Sequence, residues 1–410
     1  VARFGASPPV WPPPVWPTIL AGDINATRDS QVLRRLDSLW AVAGNVEQPT
    51  IPVEEPQRQI DYIFTFPADR WQVIETQVID ERVASDHRPL LATLQLIRPP
   101  ANENEKHPEF DDILQTLTPS GETIVAADSN EWQSRRELVR QAMQSVMGYL
   151  PLLVRRPPPK YEVIDTVDCG PYIRKFIEYE SQPNGKTPAY LCIPNGVPND
   201  IIEARATPAV LCLHPTDNRV GHDVVVGLGG KPNRQYASEL AERGYITLAP
   251  SYPLLANYQP DLQQLGWESG TLKAVWDNIR GIDLLQSLIR VNPDRIGAIG
   301  HSLGGHNAIY TAVFDERIKA VVSSCGFDSY NDYYDGDPAV WQPGKGWTQL
   351  RYMPRLANFR NRLSEIPFDF DEMLAALAPR HFMAIAPLHD SNFRAASVDR
   401  MTDRARKVFD

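Results

Sequence analysis

From Tyr161 onward, short unbroken apolar runs alternate with longer stretches of mixed polarity. The runs cover 189–193, 209–213, 246–249, 296–299, 320–323 and 382–386. A strand covered on both faces has no polar side to show, so such runs predict buried parallel strands. Between them, 233–243, 270–290 and 303–314 have the spacing and composition of helices. Strands and helices in alternation predict a doubly wound, mostly parallel α/β sheet.

The earlier part of the chain reads differently. Strand-like runs lie at 18–21, 60–66, 71–79 and 90–97, and a helix is expected over 130–149 on the stripe Trp132, Leu138, Met143, Val146 and Met147. Prolines punctuate these elements. The segment PPVWPPPVWP at 8–17 excludes a helix or a central strand, because proline lacks the N–H and fixes φ, and is expected to be an extended surface stretch. The run PLLVRRPPPK at 151–160 ends the helix. The polar, acidic segment 101–120 predicts a linker with one short helix. The organisation expected is therefore 1–98, a linker over 99–129, and a larger domain over 130–410. No internal repeat is visible.

Composition narrows the function classes. The chain has 410 residues and 42% apolar content, enough for two or three domains with ordinary cores. No apolar run approaches the roughly 20 residues of a membrane helix. A net charge of −10 argues against a general nucleic-acid surface, though not against a local basic cleft. The four cysteines show no C-x-x-C spacing, hence no zinc or redox motif. Cys192, Cys212 and Cys325 lie in apolar runs and are expected to act as small buried hydrophobes. They fix no compartment. The first residue is Val1 and a motif follows almost at once, so the chain is expected to start inside a longer gene product, with any signal peptide out of view.

The clearest chemistry lies in IGAIGHSLGG at 296–305. This is G-x-S-x-G between a strand and a helix, HNAIYTAV, which places Ser302 on a tight turn as a nucleophile. Gly300 and Gly304 are small because strand and helix crowd there, and the helix N-terminus favours developing negative charge. His301 and His306 are read as positioning or packing residues. The oxyanion donors expected are the backbone N–H of Leu303 and, from the loop after 209–213, that of Thr216, since Pro215 has none. His214 is expected to orient that loop. The acid should follow a later strand: Asp390 is favoured and Asp328 competes. No histidine follows Asp390, and His389 adjoins it with the wrong geometry to reach Ser302. The base, the last strand and the last helix are therefore expected beyond Asp410, and this fragment is expected to be inactive.

The segments LCLHPT, GLGGKPNRQYASELAERGYITLAPSYP, DRIGAIGHSLGGHNAIYTAVFDERIKAVVSSCGF and ALAPRHFMAIAPLHDSNF resemble the dienelactone-hydrolase and acetyl-xylan-esterase side of the α/β-hydrolase superfamily. The resemblance covers about residue 130 to the end. It implies a Ser–Asp–His hydrolase of carboxylic esters without a cofactor, with Ser302 and Asp390 matching nucleophile and acid, and a small-molecule or glycan ester as substrate. Prolyl-oligopeptidase-like peptidases share this core, so a peptide substrate stays in contention. The insert at 328–368 is read as a lid or as a surface excursion.

Three short motifs mark the first hundred residues: Gly22-Asp23-Ile24-Asn25, Gln59-Ile60-Asp61-Tyr62-Ile63-Phe64 and Ser85-Asp86-His87. Together and in this order they resemble the C-terminal part of the endonuclease/exonuclease/phosphatase family, which implies part of a four-layered α/β sandwich. By that resemblance Asp23 aligns or deprotonates a water and Asn25 steadies the transition state. Asp61 holds the tautomer of His87, which contacts the phosphate, and Asp86 lies on the Mg²⁺ side. The family's upstream metal-binding residues are expected before Val1, and a half sandwich should be poorly supported. Three readings compete: a serine esterase module in a fused protein, a Mg²⁺-dependent phosphodiesterase or nuclease with an accessory C-terminal module, and a non-catalytic hydrolase-like binding protein. Nucleic acid or a phosphoester is a partner only through the first hundred residues.

Overall fold

The computed structural model describes residues 18–37, 40–44, 48–66, 68–96, 112–117, 122–151, 156–196 and 207–409. The proline-rich stretch at 8–17, residues 101–111 of the expected linker, and 152–155 lie outside the described residues. The chain forms two compact units, Val1–Glu103 and Asn104–Asp410.

The smaller unit holds β1 (Thr18–Asp23), α1 (Gln31–Asp37), β2 (Ala41–Val42), β3 (Asp61–Phe66), β4 (Trp71–Val78) and β5 (Leu90–Leu96). The four strands expected from the sequence form. β1 and β3 pair antiparallel from Thr18↔Phe66 to Asp23↔Asp61, so the two aspartates face each other at one end of the ladder. Strand β2 pairs with the other edge of β3, and β4 and β5 make a separate ribbon. Leu33 of α1 is buried with Tyr62 and Phe64. Much apolar surface stays open, including Ile74 at 53% and Ile19 at 48% exposure.

The larger unit starts with a hairpin of β6 (Gln115–Leu117) and β7 (Thr123–Val125). Of the segment 101–120, in which a short helix is expected, the described residues 112–117 form a turn and β6. Ile113 anchors this piece in the core. Helix α2 (Ser129–Met147) buries Trp132, Val139, Ala142, Met143, Val146 and Met147 along one face. There follow β8 (Tyr161–Asp168), β9 (Tyr172–Gln182), β10 (Gly185–Pro194), β11 (Thr207–Leu213), α3 (Tyr236–Glu242), β12 (Ile246–Pro250), α4 (Gly270–Ser287), β13 (Val291–His301), α5 (Leu303–Phe314), β14 (Ile318–Ser324), α6 (Phe370–Ala375), β15 (His381–Ile385) and α7 (Ala395–Phe409).

Eight of these strands form one sheet in the order β15-β14-β13-β11-β12-β10-β9-β8. From β12 to β15 all pairings are parallel, while β10, β9 and β8 run antiparallel at the other end. Helix α4 is buried almost along its whole length, including Lys273 and Asp277, which pair with each other. The Lys273 ammonium also donates to Ser181 and Tyr258, which satisfies a charge that burial would otherwise penalise heavily. The insert at 328–368 is not a loose excursion: Tyr330, Trp341 and Phe368 are almost fully buried, and Trp347 and Tyr352 nearly so. Among the described residues no helix is long and apolar enough to cross a membrane. The loops after β11, β13, β14 and β15 leave the carboxyl edge of the parallel strands, where open α/β sheets place their ligand sites.

Candidate active site

Ser302 joins β13 to α5 at φ 55° and ψ −121°, a conformation that an L side chain adopts only under constraint. The constraint is close packing. A Cβ on Gly300 would lie 2.1 Å from the carbonyl carbon of Gly304, and one on Gly304 would lie 1.9 Å from the Leu213 oxygen. The Ser302 N–H donates to the Ser324 carbonyl of β14 at 2.8 Å, which ties the turn to the neighbouring strand. The serine is half-buried. Leu303 opens α5, so its amide has no acceptor within the helix.

The loop after β11 is held from beneath by His214. Its Nε2 accepts the Tyr252 N–H at 2.9 Å and its Nδ1–H donates to the Pro215 carbonyl at 2.8 Å. Burial pushes this imidazole down to about 4, so it is neutral at pH 7. The loop-orienting role expected of it is what this geometry provides. Thr216 follows, exposed, its hydroxyl sharing a hydrogen bond of 3.1 Å with Tyr352 from the insert. That partner is not legible along the chain, because the two residues stand 136 positions apart.

The two candidate acids have different surroundings. Asp390, after β15, accepts from the amides of Asn392 and Phe393 at 2.7 and 3.3 Å. It lines a small cleft with Cys325, Gly326, Ile385 and Pro387, at the ends of the two strands beyond β13. Asp328 is buried and accepts the Arg394 N–H at 3.1 Å, just ahead of α7. Burial pushes its carboxyl up to about 7. Cys192 and Cys212 are fully buried, as expected, whereas Cys325 is half-exposed beside Asp390.

None of the imidazoles near the elbow is hydrogen-bonded to the Ser302 hydroxyl among the described residues. His301 Nδ1 lies 3.1 Å from Ser324 Oγ, and burial, with Arg234 and Lys231 opposing a positive charge, pushes it down to about 4. His306 is fully buried between Tyr310 and Trp347, at ring distances of 4.3 and 4.2 Å, and burial pushes it down to about 3. It packs, as read from the sequence. His389 is exposed.

In the smaller unit, ligand atoms of Asp23, Asp61 and His87 lie within 4.8 Å of one another. Asp61 Oδ2 accepts from Thr50 Oγ1 at 2.6 Å and lies 2.9 Å from His87 Nδ1. Asn25, at φ 52°, turns back onto Asp23, and its amide N–H and side-chain NH₂ each donate to one carboxylate oxygen. The three motifs are thus brought together, except that Asp86 stands outside the group, beside Ser85. Thr50 was not foreseen.

The fungal glucuronyl esterase family matches residues 262–410, a span containing Ser302 and Asp390. "Putative hydrolase YtaP" of Bacillus subtilis (strain 168) is 24% identical over 292 residues, 66% of this chain and 86% of that protein. The glucuronoyl esterase of Solibacter usitatus shares 21% identity and a TM-score of 0.57, covering 74% of this chain and 86% of its own. A CE15 glucuronoyl esterase from Teredinibacter turnerae T7901 shares 17% identity and a TM-score of 0.53, covering 73% and 76%. None of these comparisons shows an endonuclease/exonuclease/phosphatase domain. The chain carries an α/β fold of the α/β-hydrolase type, similar to the hydrolases and glucuronoyl esterases named here.

Proposed function

We propose that the larger unit is a serine hydrolase of carboxylic esters carried by glycans, of the uronoyl or acetyl kind. The observation that carries this reading is the strained turn at Ser302, next to the unsatisfied first amide of α5. A binding protein has no use for such strain. Ser302 Oγ attacks the ester carbonyl carbon, and the carbonyl oxygen takes the negative charge between the N–H groups of Leu303 and Thr216. The C–O bond to the alcohol breaks, leaving an acyl-serine that water cleaves to the acid and free Ser302. No described imidazole is hydrogen-bonded to Ser302, so the proton of Ser302 passes to a base from outside these residues, added imidazole in the test below, and on to the leaving alcohol, with Asp390 the carboxylate proposed to orient that base. The reaction takes no cofactor.

The test is labelling by an alkyl fluorophosphonate, which reports an activated serine hydroxyl, with and without added imidazole as a base. We expect labelling at Ser302, faster with imidazole above pH ~7 where imidazole is neutral, and none in Ser302→Ala. Turnover of a short acyl ester should vanish in the same variant. No labelling under either condition, or near-full turnover in Ser302→Ala, removes the nucleophile. Cleavage of a short peptide but not an ester replaces the esterase by a peptidase.

A second reading concerns the smaller unit, favoured by the Thr50–Asp61–His87 chain beside Asp23. In this reading Asp61 fixes the tautomer of His87, whose other ring nitrogen would meet a phosphoester oxygen, and Asp23 would orient the attacking water. Mg²⁺ usually takes only one or two protein carboxylates, which Asp23 and Asp61 provide, whereas the imidazole is committed to Asp61. When bound, the ion would neutralise charge building on the phosphate oxygens.

A further inference from the structure

Resting on the Ser302 reading, we propose that residues 350–352 of the insert are a clamp that positions Thr216, so that the insert sets the oxyanion site rather than merely covering it. The clamp has a fixed base. The Leu350 and Tyr352 carbonyls accept the Gly270 and Thr271 amides at 2.9 and 3.2 Å, two of the first donors of α4. A Cβ on Gly270 would lie 2.2 Å from the Arg351 oxygen, so glycine is what lets the segment lie so close. The same oxygen accepts the Tyr252 hydroxyl at 2.8 Å.

From this base two side chains reach the loop after β11. Tyr352 Oη is 3.1 Å from Thr216 Oγ1, and Arg351 Nη1 donates to Asn218 Oδ1 at 2.6 Å. The Tyr352 ring is itself wedged against Trp347, centroids 5.1 Å apart, and is only 8% exposed. Tyr252 closes the circuit: its hydroxyl holds Arg351 while its N–H holds His214 beneath the same loop. Thr216 is exposed and beyond the end of the β11 ladder, so its amide direction is not fixed by the sheet. An oxyanion donor avoids reorganisation during reaction only if it is held in advance. Tyr352 and Arg351 are thus positioning residues.

The test is a double-mutant cycle of Tyr352→Phe and Thr216→Val, both of which keep the Thr216 N–H. Removing an oxyanion donor outright costs roughly 10²–10³ in rate, so loosening one should cost about tenfold. Each single variant should slow fluorophosphonate labelling and ester kcat about tenfold with little change in KM. Each should also speed amide hydrogen exchange over 214–218, with the melting temperature unchanged. The double variant should be no slower than either single one. Wild-type rates in Tyr352→Phe, or losses that multiply to about 100-fold, overturn the clamp. If wild-type Ser302 proves unreactive even with added imidazole, the esterase reading falls, and exchange alone decides whether residues 350–352 position Thr216. Unchanged exchange over 214–218 in Tyr352→Phe then overturns the clamp, and faster exchange upholds it.

Discussion

Ser302 owes its position to two neighbours without side chains. The Cβ of an alanine at 304 would meet the Leu213 oxygen at 1.9 Å, a backbone atom at the carboxyl end of β11 held by its pairing with β13. The strain leaves only by prying α5 away from β13, which tilts the Leu303 amide as well. Gly304→Ala is therefore expected to lose roughly 3 kcal/mol of stability and most Ser302 labelling, read by urea unfolding and fluorophosphonate labelling. Wild-type stability with full labelling would show that the crowding is relieved some other way. At this scale the elbow was legible in the sequence because all its parts are neighbours along the chain. His306 is read as a positioning or packing residue and does pack, although Trp347 and Phe370 of its ring contacts come from distant segments. Tyr352 and Thr50 were not legible, because their partners come from distant segments and a lone tyrosine or threonine carries no local signal.

Helices α6 and α7 dock through buried carboxyls, and this makes their seating depend on pH. Asp369 caps α6, accepting from the Phe370 amide at 2.8 Å, the Tyr330 amide at 3.2 Å and the Ser329 hydroxyl at 2.6 Å. Burial pushes it up to about 7, with Asp371 adding to the rise. An acid raised in the folded state keeps its proton there between pH ~4 and ~7 while the unfolded chain loses it. Stability from this group is therefore full below pH ~4 and falls as pH rises to ~7. Asparagine keeps a helix cap without the charge. Asp369→Asn is expected to gain about 2 kcal/mol on the wild type between pH 5 and 8.5, read as the change in the urea-unfolding difference. A difference that ignores pH, or shrinks as pH rises, would remove the buried charge as its cause. The unbroken apolar runs became β10 to β15, with two-sided cover on the inner strands β11 and β12, whereas β15 at the sheet edge leaves Met383 and Ile385 exposed. Strands β8 and β9 escaped because this antiparallel sheet end meets water, β8 along its whole length and β9 in part, and YEVIDTVD and YIRKFIEYESQ carry the charges that allows.

The two proposals assign unlike chemistries to the two units of one acidic chain. A net charge of −10 repels polyanions at long range, so a phosphoester site in the smaller unit is better matched to small phosphodiesters than to nucleic acid. The hydroxyl of Ser302 and the His87–Asp61 pair lie in different compact units, and neither proposed reaction borrows a residue from the other. Crossed variants separate them. Ser302→Ala should abolish hydrolysis of p-nitrophenyl acetate and leave that of bis-p-nitrophenyl phosphate intact. His87→Ala should do the reverse, lowering the phosphodiester rate by roughly 10²-fold or more, as loss of a group acting on the transition state does. EDTA should stop only the phosphodiester reaction, because only that proposal gives a divalent cation a part, the ester's oxyanion being met by backbone N–H groups. If His87→Ala and EDTA leave phosphodiester turnover unchanged, the Asp23, Asp61 and His87 group is a structural hydrogen-bond cluster. If His87→Ala instead lowers ester hydrolysis, the two reactions are not independent, and the assignment of one chemistry to each unit fails.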